Sequence, residues 1–350
     1  MTIAHLHVWD KNNKGDAAIV LAVQELLKMR WPKARIQDFS LGLLQGARLE
    51  DLRKINQADL VVIGGGGIFY SYWLPFDETL IKAIKAPIIL FGVGYIREVD
   101  AADLSREAKR SAGLLAQQAK FVGVRDFKTR EFLISQDVPA AKIKVIGDPA
   151  ALLKEKKPNP TLLKKLGLGR ADSKIKIGFN LNYSGWLGFG KWETDILKAY
   201  EQVAENFKKK FGPDGVSFYY LRHHPGEKAI ISKLKIKGLR IVDLAPAEQK
   251  YVYGRLDLII GMMLHVGVMA FGAGTPEISV AYDLRNYSFA EFLGRPELVL
   301  SLKDLKKGEL SCRARDIFTK RQKYGIVFRQ KLREIKDKQE RFLSIIKVYV

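Results

Sequence analysis

The strongest constraint on this chain is an alternation of short apolar runs with helix-period segments, repeated in two series. The first series predicts strands at 3–8, 34–39, 58–63, 86–91, 121–124 and 142–146. Helical patterns lie between them, at 16–29, 104–118 and 127–135. In the first of these, Ile19, Val20, Val23, Leu26 and Leu27 share one face, the spacing of an amphipathic helix. Strands separated by helices pair in parallel, and the helices cover both faces of the sheet. After Leu153 the chain becomes rich in Lys, Pro and Gly, which reads as a connection over 156–173. A second series follows, with strands at 174–180, 216–222, 239–243, 256–260 and 277–282. Its helices fit at 192–209, 227–234, 247–255 and 265–273. The expected organisation is a doubly wound domain over 1–155, a linker over 156–173, a second such domain over 174–312 and a helical tail over 313–350, broken near Gly325. Two doubly wound domains facing each other form a cleft, and in open parallel sheets ligands sit at the carboxyl ends of the strands.

Composition narrows the partners. Of 350 residues, 47% are hydrophobic and 28% charged, which excludes a disordered, collagen-like or coiled-coil chain. The formal net charge of +21 attracts anions: nucleic acid, acidic headgroups or phosphorylated small molecules. No nucleic-acid motif is present and the basic excess is spread, so no nucleic-acid partner is expected and peripheral contact with an anionic membrane is preferred. The last 50 residues carry 15 Lys and Arg against 6 Asp and Glu, read as a solvated helix face. Cys312 is the single cysteine, which excludes an intrachain disulfide and a Cys-rich zinc site. The opening residues lack the basic-then-apolar layout of a secretory leader, so a cytoplasmic location is expected, including the inner face of the membrane. The uncharged stretch 258–276 approaches the length of a membrane span. It contains four glycines, His265 and Pro276, and reads instead as a buried strand, a turn and a packed helix.

The common cofactor motifs fail on spacing. Counted from Gly64, the last glycine of a dinucleotide fingerprint falls at Phe69; counted from Gly65, at Tyr70; counted from Gly92, at Arg97. No phosphate loop of the GxxxxGK[ST] type occurs. The run from Asp10 to Gly15 imitates a calcium loop, but Lys14 occupies a ligand position and Leu21 stands where a bidentate Glu belongs. The histidines His5, His7, His223, His224 and His265 form no metal set by spacing, and no metal site is expected. Ser184 lies between Tyr183 and Gly185, so the GxSxG spacing of a nucleophile elbow is absent.

Four strand-end segments remain. Asn13-Lys14-Gly15-Asp16 opens the first helix, where Asp16 either favours the helix N-terminus or orients and deprotonates a substrate hydroxyl. Gly64 to Gly67, followed by aromatic residues, reads either as a backbone cradle for a ligand through Gly65, Gly66 and Gly67 or as a tight turn with an aromatic plug. The loop 179–191 interleaves glycines with Tyr183, Trp186 and Phe189, suited to covering a ligand or to static packing. In the fourth segment His265 stands at a strand-to-helix turn, where helix N–H groups favour anions. Arg222 and His224 end another strand and can serve the same mouth, with Arg97, Arg125 and Arg285 as weaker cationic candidates. Arg125 beside Asp126 reads first as a structural ion pair.

These segments resemble the polysaccharide pyruvyl transferase family. The resemblance rests on NKGDAAI from Asn13, ADLVVIGGGGIF from Ala58, GVG from Gly92, VRDFKTREFL from Val124, GDPA from Gly147 and above all DLIIGMMLHVGVMAFGAGTPEISVAYDLRNYSF from Asp257. It implies a GT-B-like α/β fold, with two Rossmann-type domains around a cleft, the first on the acceptor side and the second on the donor side. It implies transfer of an enolpyruvyl-derived unit from phosphoenolpyruvate to a sugar hydroxyl of a surface glycan or lipid-linked precursor, leaving a pyruvate ketal, without metal or cofactor. His265 matches the family's histidine and is expected, with Asp16, to be catalytic. Substrate contacts are expected from Arg222, His224, Gly65, Gly66, Gly67, Arg97, Arg285 and Trp186. The chain departs from the family at Met263, where an arginine usually precedes Leu-His. That departure leaves open a glycosyltransferase using a nucleotide sugar, or a non-catalytic homologue.

Overall fold

A computed structural model of the chain describes residues 1–8, 10, 12–99, 101–169, 173–182 and 189–346. It divides into two compact units. One comprises Met1–Lys11, Asp16–Leu152 and Arg333–Val350; the other comprises Asn12–Gly15 and Leu153–Leu332.

The first unit runs β1 (Thr2–His7), α1 (Lys14–Arg30), β2 (Arg35–Ser40), α2 (Leu49–Asn56), β3 (Leu60–Phe69), α3 (Glu78–Ala83), β4 (Ile88–Tyr95), α4 (Arg106–Gln118), β5 (Phe121–Val124), α5 (Phe127–Ile134) and β6 (Ile143–Val145). Its six strands are parallel in the order β2-β1-β3-β4-β5-β6, so the direction of winding reverses between β1 and β3. Alternation along β1 sends Ala4, Leu6 and Val8 into a core shared with Val61, Ile63 and Leu90. His5 and His7 therefore point to the opposite face. All ten residues of β3 are buried, as expected for a strand covered on both faces.

The second unit runs α6 (Pro160–Lys165), β7 (Ile175–Phe179), α7 (Phe189–Phe211), β8 (Val216–Leu221), α8 (Lys228–Ile231), β9 (Arg240–Val242), α9 (Pro246–Tyr253), β10 (Leu258–Gly261), α10 (Leu264–Ala273), β11 (Glu277–Ala281), α11 (Leu284–Leu293), β12 (Val299–Ser301), α12 (Leu302–Leu305), α13 (Glu309–Thr319) and the part of α14 (Arg321–Ile346) up to Leu332, the rest of that helix belonging to the first unit. The sheet order is β12-β11-β10-β7-β8-β9, again parallel, with the reversal between β7 and β10. The uncharged stretch 258–276 resolves into β10, a turn and α10, which ends on left-handed Gly274 (φ 82°). Among the described residues, no helix is long and apolar enough to cross a membrane.

Two expectations change. The glycine run is not a loop after a strand: Gly64 to Gly67 lie inside β3, and all four are buried. A Cβ on Gly65 would collide with Ile19, one on Gly66 with Val8 and one on Gly67 with Ile96. These glycines admit apolar side chains against the strand backbone, so their absent Cβ atoms are accounted for by packing. Gly92 and Gly94 likewise belong to β4. The tail breaks at Lys320 rather than Gly325, which lies within α14. There a Cβ would approach the Gly274 carbonyl to 3.3 Å.

Gly65 also has φ 74°, a conformation side chains other than glycine rarely adopt. Gly65→Ala combines that strain with the clash against Ile19 and is expected to cost roughly 2–5 kcal/mol. Urea denaturation reads this directly; an unchanged midpoint would contradict the packing described.

Candidate functional site

The second unit gathers its polar side chains at the carboxyl ends of β7, β8 and β10, beside the winding reversal. Asn180, directly after β7 and fully buried, ties the three strand ends together. Its Nδ2 donates to the Leu221 carbonyl (3.0 Å) and to Glu227 Oε2 (3.3 Å), and its Oδ1 accepts from the Met263 N–H (3.2 Å). Met263 occupies the N-cap position of α10 in extended conformation and offers no side-chain cap. Asn180 supplies one acceptor in its place. His265 follows in the first turn of α10 and is 8% exposed. Its ring lies against Gly15, where a Cβ would stand 2.5 Å from Nδ1. Gly15 is thus required for the imidazole to occupy this position.

Lys14 holds Gly15 there. Its N–H donates to the His223 carbonyl (3.0 Å). Its ammonium donates to the Arg222 carbonyl (2.7 Å), Asp243 Oδ1 (2.5 Å) and Gln249 Oε1 (2.9 Å), one acceptor for each of its three hydrogens. Burial lowers the Lys14 pKa from its ordinary value, and the bond to Asp243 opposes that shift. Gln249 extends the network: Nε2 donates to the Arg222 carbonyl (3.0 Å) and to the Tyr253 hydroxyl (3.1 Å). That hydroxyl is bonded to His223 Nε2. Burial, with the nearby charges of Lys14 and His265, pushes His223 well below the usual imidazole range.

Arg222 is drawn into the same frame. NH1 donates to Asp243 Oδ2 (2.9 Å), NH2 to the Pro225 carbonyl (3.1 Å) and Nε to the His224 carbonyl (3.4 Å). A quarter of its side chain remains exposed. His224 Nδ1 accepts from the Gly226 N–H (3.0 Å), which leaves the ring hydrogen on Nε2. Glu227 closes this turn by accepting from the His223 and His224 N–H groups at 2.9 and 2.6 Å. Its burial raises the carboxyl pKa to about 7 against those bonds and the Lys14 charge.

The remaining predicted residues fall elsewhere. Arg285 is paired with Asp283, the N-cap of its own helix, at 2.6 Å. Arg97 lies in the first unit after β4 and donates to the Ala101 carbonyl (3.4 Å). Arg125 forms the expected ion pair with Asp126 (3.1 Å) and approaches Asp148 (3.8 Å), all three buried. Asp16 stands in the first turn of α1, while Asn13 supplies the cap by accepting the Gly15 N–H (2.9 Å). Trp186, with the loop 183–188, lies outside the described residues. Lys14, Asn180, Glu227, Asp243 and Gln249 join the site without being expected from sequence. Only Lys14 carries a local signal, its place between Asn13 and Gly15.

Solved structures place the fold among GT-B-like proteins. MnaA of S. aureus, solved with UDP, superposes with TM-score 0.59 at 11% identity, over 90% of this chain and 87% of that one. HepE of Anabaena, in complex with UDP and glucose, gives 0.58 at 14% identity over 99% and 98%. A putative UDP-N-acetylglucosamine 2-epimerase of Listeria monocytogenes gives 0.58 at 12% identity over 88% and 87%. No curated protein matches the sequence. A sequence model of polysaccharide pyruvyl transferases matches residues 13–283, and the chain belongs to that transferase family.

Glu227 generates a pH dependence with a defined sign. The folded chain keeps its proton up to pH about 7, whereas the ordinary value is 4.5. The group's contribution to stability is therefore full below pH 4.5 and is lost as pH rises through about 7, amounting to at most about 3 kcal/mol. Glu227→Gln should narrow its stability gap to wild type progressively over that interval. Denaturation curves for both proteins across it test this; a gap independent of pH would refute it.

Proposed function

We propose that this protein moves an enolpyruvyl-derived unit from phosphoenolpyruvate to a sugar of a surface glycan or its lipid-linked precursor, forming a pyruvate ketal. The observation that carries this reading is His265 in the first turn of α10, seated on Gly15 at a strand end, inside the region matched by the family. The reaction forms a C–H bond at the vinyl carbon and two C–O bonds at its neighbour, and breaks the bond from that neighbour to the phosphate oxygen. Two hydroxyls of the acceptor lose their protons; one proton balances the new C–H bond and the other leaves with phosphate. An imidazole can deliver the first proton and a carboxylate can accept one from a hydroxyl, the roles assigned here to His265 and Asp16.

The donor's carboxylate and phosphate need cationic or N–H contacts. Lys14 and Arg222 share the single carboxylate of Asp243, which leaves an excess positive charge at the end of β8. His224 Nε2–H adds a donor. The amides at the start of α10 favour an anion; Met263 itself offers no side-chain cap, and Asn180 Oδ1 occupies the Met263 N–H. Arg97, Arg285 and Trp186 are retained as secondary contacts to either substrate, whereas Gly65, Gly66 and Gly67, covered by Ile19, Val8 and Ile96, are not. No cofactor or metal enters this chemistry. A net charge of +21 suits a cytoplasmic protein that touches the anionic inner face of the membrane, where lipid-linked acceptors reside.

A second reading, a transferase using a nucleotide sugar, is favoured by Met263 in place of the usual arginine and by the UDP bound in two of the similar structures. Calorimetry separates the two. Phosphoenolpyruvate is expected to bind, whereas binding of a UDP-sugar alone would decide for the alternative. His265→Ala should lower phosphate release and ketal formation by about 10²- to 10⁴-fold with an unchanged circular dichroism spectrum. Undiminished turnover would remove His265 from the mechanism.

A further inference from the structure

The first unit contains a cluster that neither the proposed transfer reaction nor the packing of the core uses. His5 and His7 lie two residues apart on β1 and share one face of the strand. Asp38 lies opposite His5 on the neighbouring strand β2. His7 Nε2 is 3.1 Å from Asp38 Oδ1, and His5 Nδ1 is 4.0 Å from the same oxygen. The three ligand-type atoms all lie within 4.8 Å of one another, the one such His, Cys, Asp or Glu group of three or more among the described residues.

We propose that His5 Nδ1, His7 Nε2 and Asp38 form a binding site for a divalent transition-metal ion of the Zn²⁺ class. The argument begins with a hydrogen atom. His5 Nε2 is 3.4 Å from the Gly64 carbonyl, which can only accept, so the ring hydrogen is assigned to Nε2. His5 Nδ1 is then a bare lone pair, fully buried and without a hydrogen-bond partner, and it faces a carboxylate oxygen. Asp38 Oδ1 accepts from His7 Nε2 and Gln24 Nε2, so the His5 lone pair alone lacks a donor, and an ion bound here would satisfy it while replacing the hydrogen on His7 Nε2. A backbone carbonyl on the second ring nitrogen is also the usual support of a metal-bound histidine.

Geometry agrees with this assignment. Ligands about 2.0–2.1 Å from a tetrahedral ion stand about 3.4 Å apart, between the two distances to Asp38. Gln24 Nε2 donates to Asp38 Oδ1 (2.6 Å) and orients the carboxylate from α1. Gly64 makes the seat possible, because a Cβ there would lie 2.7 Å from His5 Nε2. The Asp38 side chain is more than half exposed, so the ion would enter from that side and retain an open position for water. Two histidines and one carboxylate suit Zn²⁺ and its neighbours in the first transition row better than Ca²⁺ or Mg²⁺. Spacing along the chain reveals no such set, because Asp38 joins the histidines only through the pairing of β1 with β2.

The test uses the full, untagged chain and the metal alone. Titration with Zn²⁺ by calorimetry, and with Co²⁺ by visible absorption, should show one saturable site per chain with the d–d bands of a low-coordinate cobalt centre. Because His5 is wholly buried, the variant is placed at exposed Asp38. Asp38→Ala should retain the wild-type circular dichroism spectrum and weaken Zn²⁺ binding at least tenfold. No saturable site, or one that Asp38→Ala weakens less than tenfold, overturns the assignment. Phosphate release from phosphoenolpyruvate does not enter this readout, so failure here and failure of the proposed transfer reaction are separate results.

Discussion

The candidate site depends on the three hydrogen bonds of a single ammonium group. Moving Lys14 out of water has a desolvation cost that lowers its pKa, and the acceptors on Arg222, Asp243 and Gln249 offset it. Because each hydrogen has its own acceptor, the side chain cannot shift without leaving one unpaired. That holds Lys14, and with it Gly15, at the end of β8, all within the second unit. The position of His265 is set in turn, since its ring occupies the space that a side chain on Gly15 would fill. A lysine placed between Asn13 and Gly15 therefore governs an imidazole that is distant along the chain.

Electrostatics of the floor and of the mouth differ. Beneath α10, Glu277 is buried between Gly261 and Gly267, whose Cβ atoms would lie 2.7 and 2.9 Å from its carboxylate oxygens. Burial raises its pKa well above the usual carboxylate range, as it raises that of Glu227. Both acids are thereby biased towards their neutral forms and add little negative charge to the region where an anionic donor would bind. At the mouth, Asp243 neutralises only one of the two cations bonded to it. Positive charge is left where the strands end, while the ammonium of Lys14 is fully bonded within the frame. Arg222 illustrates the division. Its guanidinium is bonded to Asp243 and to two carbonyls of the following turn, so it shapes that turn as much as it offers charge to a ligand.

Much of this is legible in the sequence, for a physical reason. Strands of a covered parallel sheet are rich in apolar residues, so β1, β5 and β8 stand out as short apolar runs, and α10, buried on all sides, stands out as an uncharged run after β10. His265 is legible because a polar residue in an apolar run at a strand-to-helix turn is conspicuous. What escapes detection is either short or non-local. β12 has three residues, too few to show a period. Asn180 and Gln249 join strand ends through bonds to residues more than 25 positions away, Leu221 and Arg222, which leave no local trace. Glu227 resembles an ordinary first-turn acid, and only its bonds to two backbone N–H groups and Asn180 reveal a buried carboxyl. A tail break at Gly325 is the natural expectation because glycine weakens helices. There the close approach to Gly274 gives glycine a packing reason without ending the helix.

Glycine has two distinct uses in this chain. In the middle of β3, Gly65, Gly66 and Gly67 accept Ile19, Val8 and Ile96, so their absent side chains bring apolar groups onto the sheet. Elsewhere the space is given to a polar group. Gly64 receives the His5 imidazole, Gly94 the Arg125 guanidinium and Gly15 the His265 imidazole. A flat ring or guanidinium laid against bare backbone is shielded from water on one face, and its edge atoms remain directed at chosen partners. For Arg125 those partners are Asp126 and Asp148, for His5 the Gly64 carbonyl. A glycine-rich strand end is commonly read as a cradle for phosphate, since amides can approach a ligand there. In this chain the same absence of Cβ atoms seats side chains of the protein itself. The chemistry of each position is consequently identified by what lies over the glycine, and the glycine pattern alone does not distinguish a ligand from an imidazole.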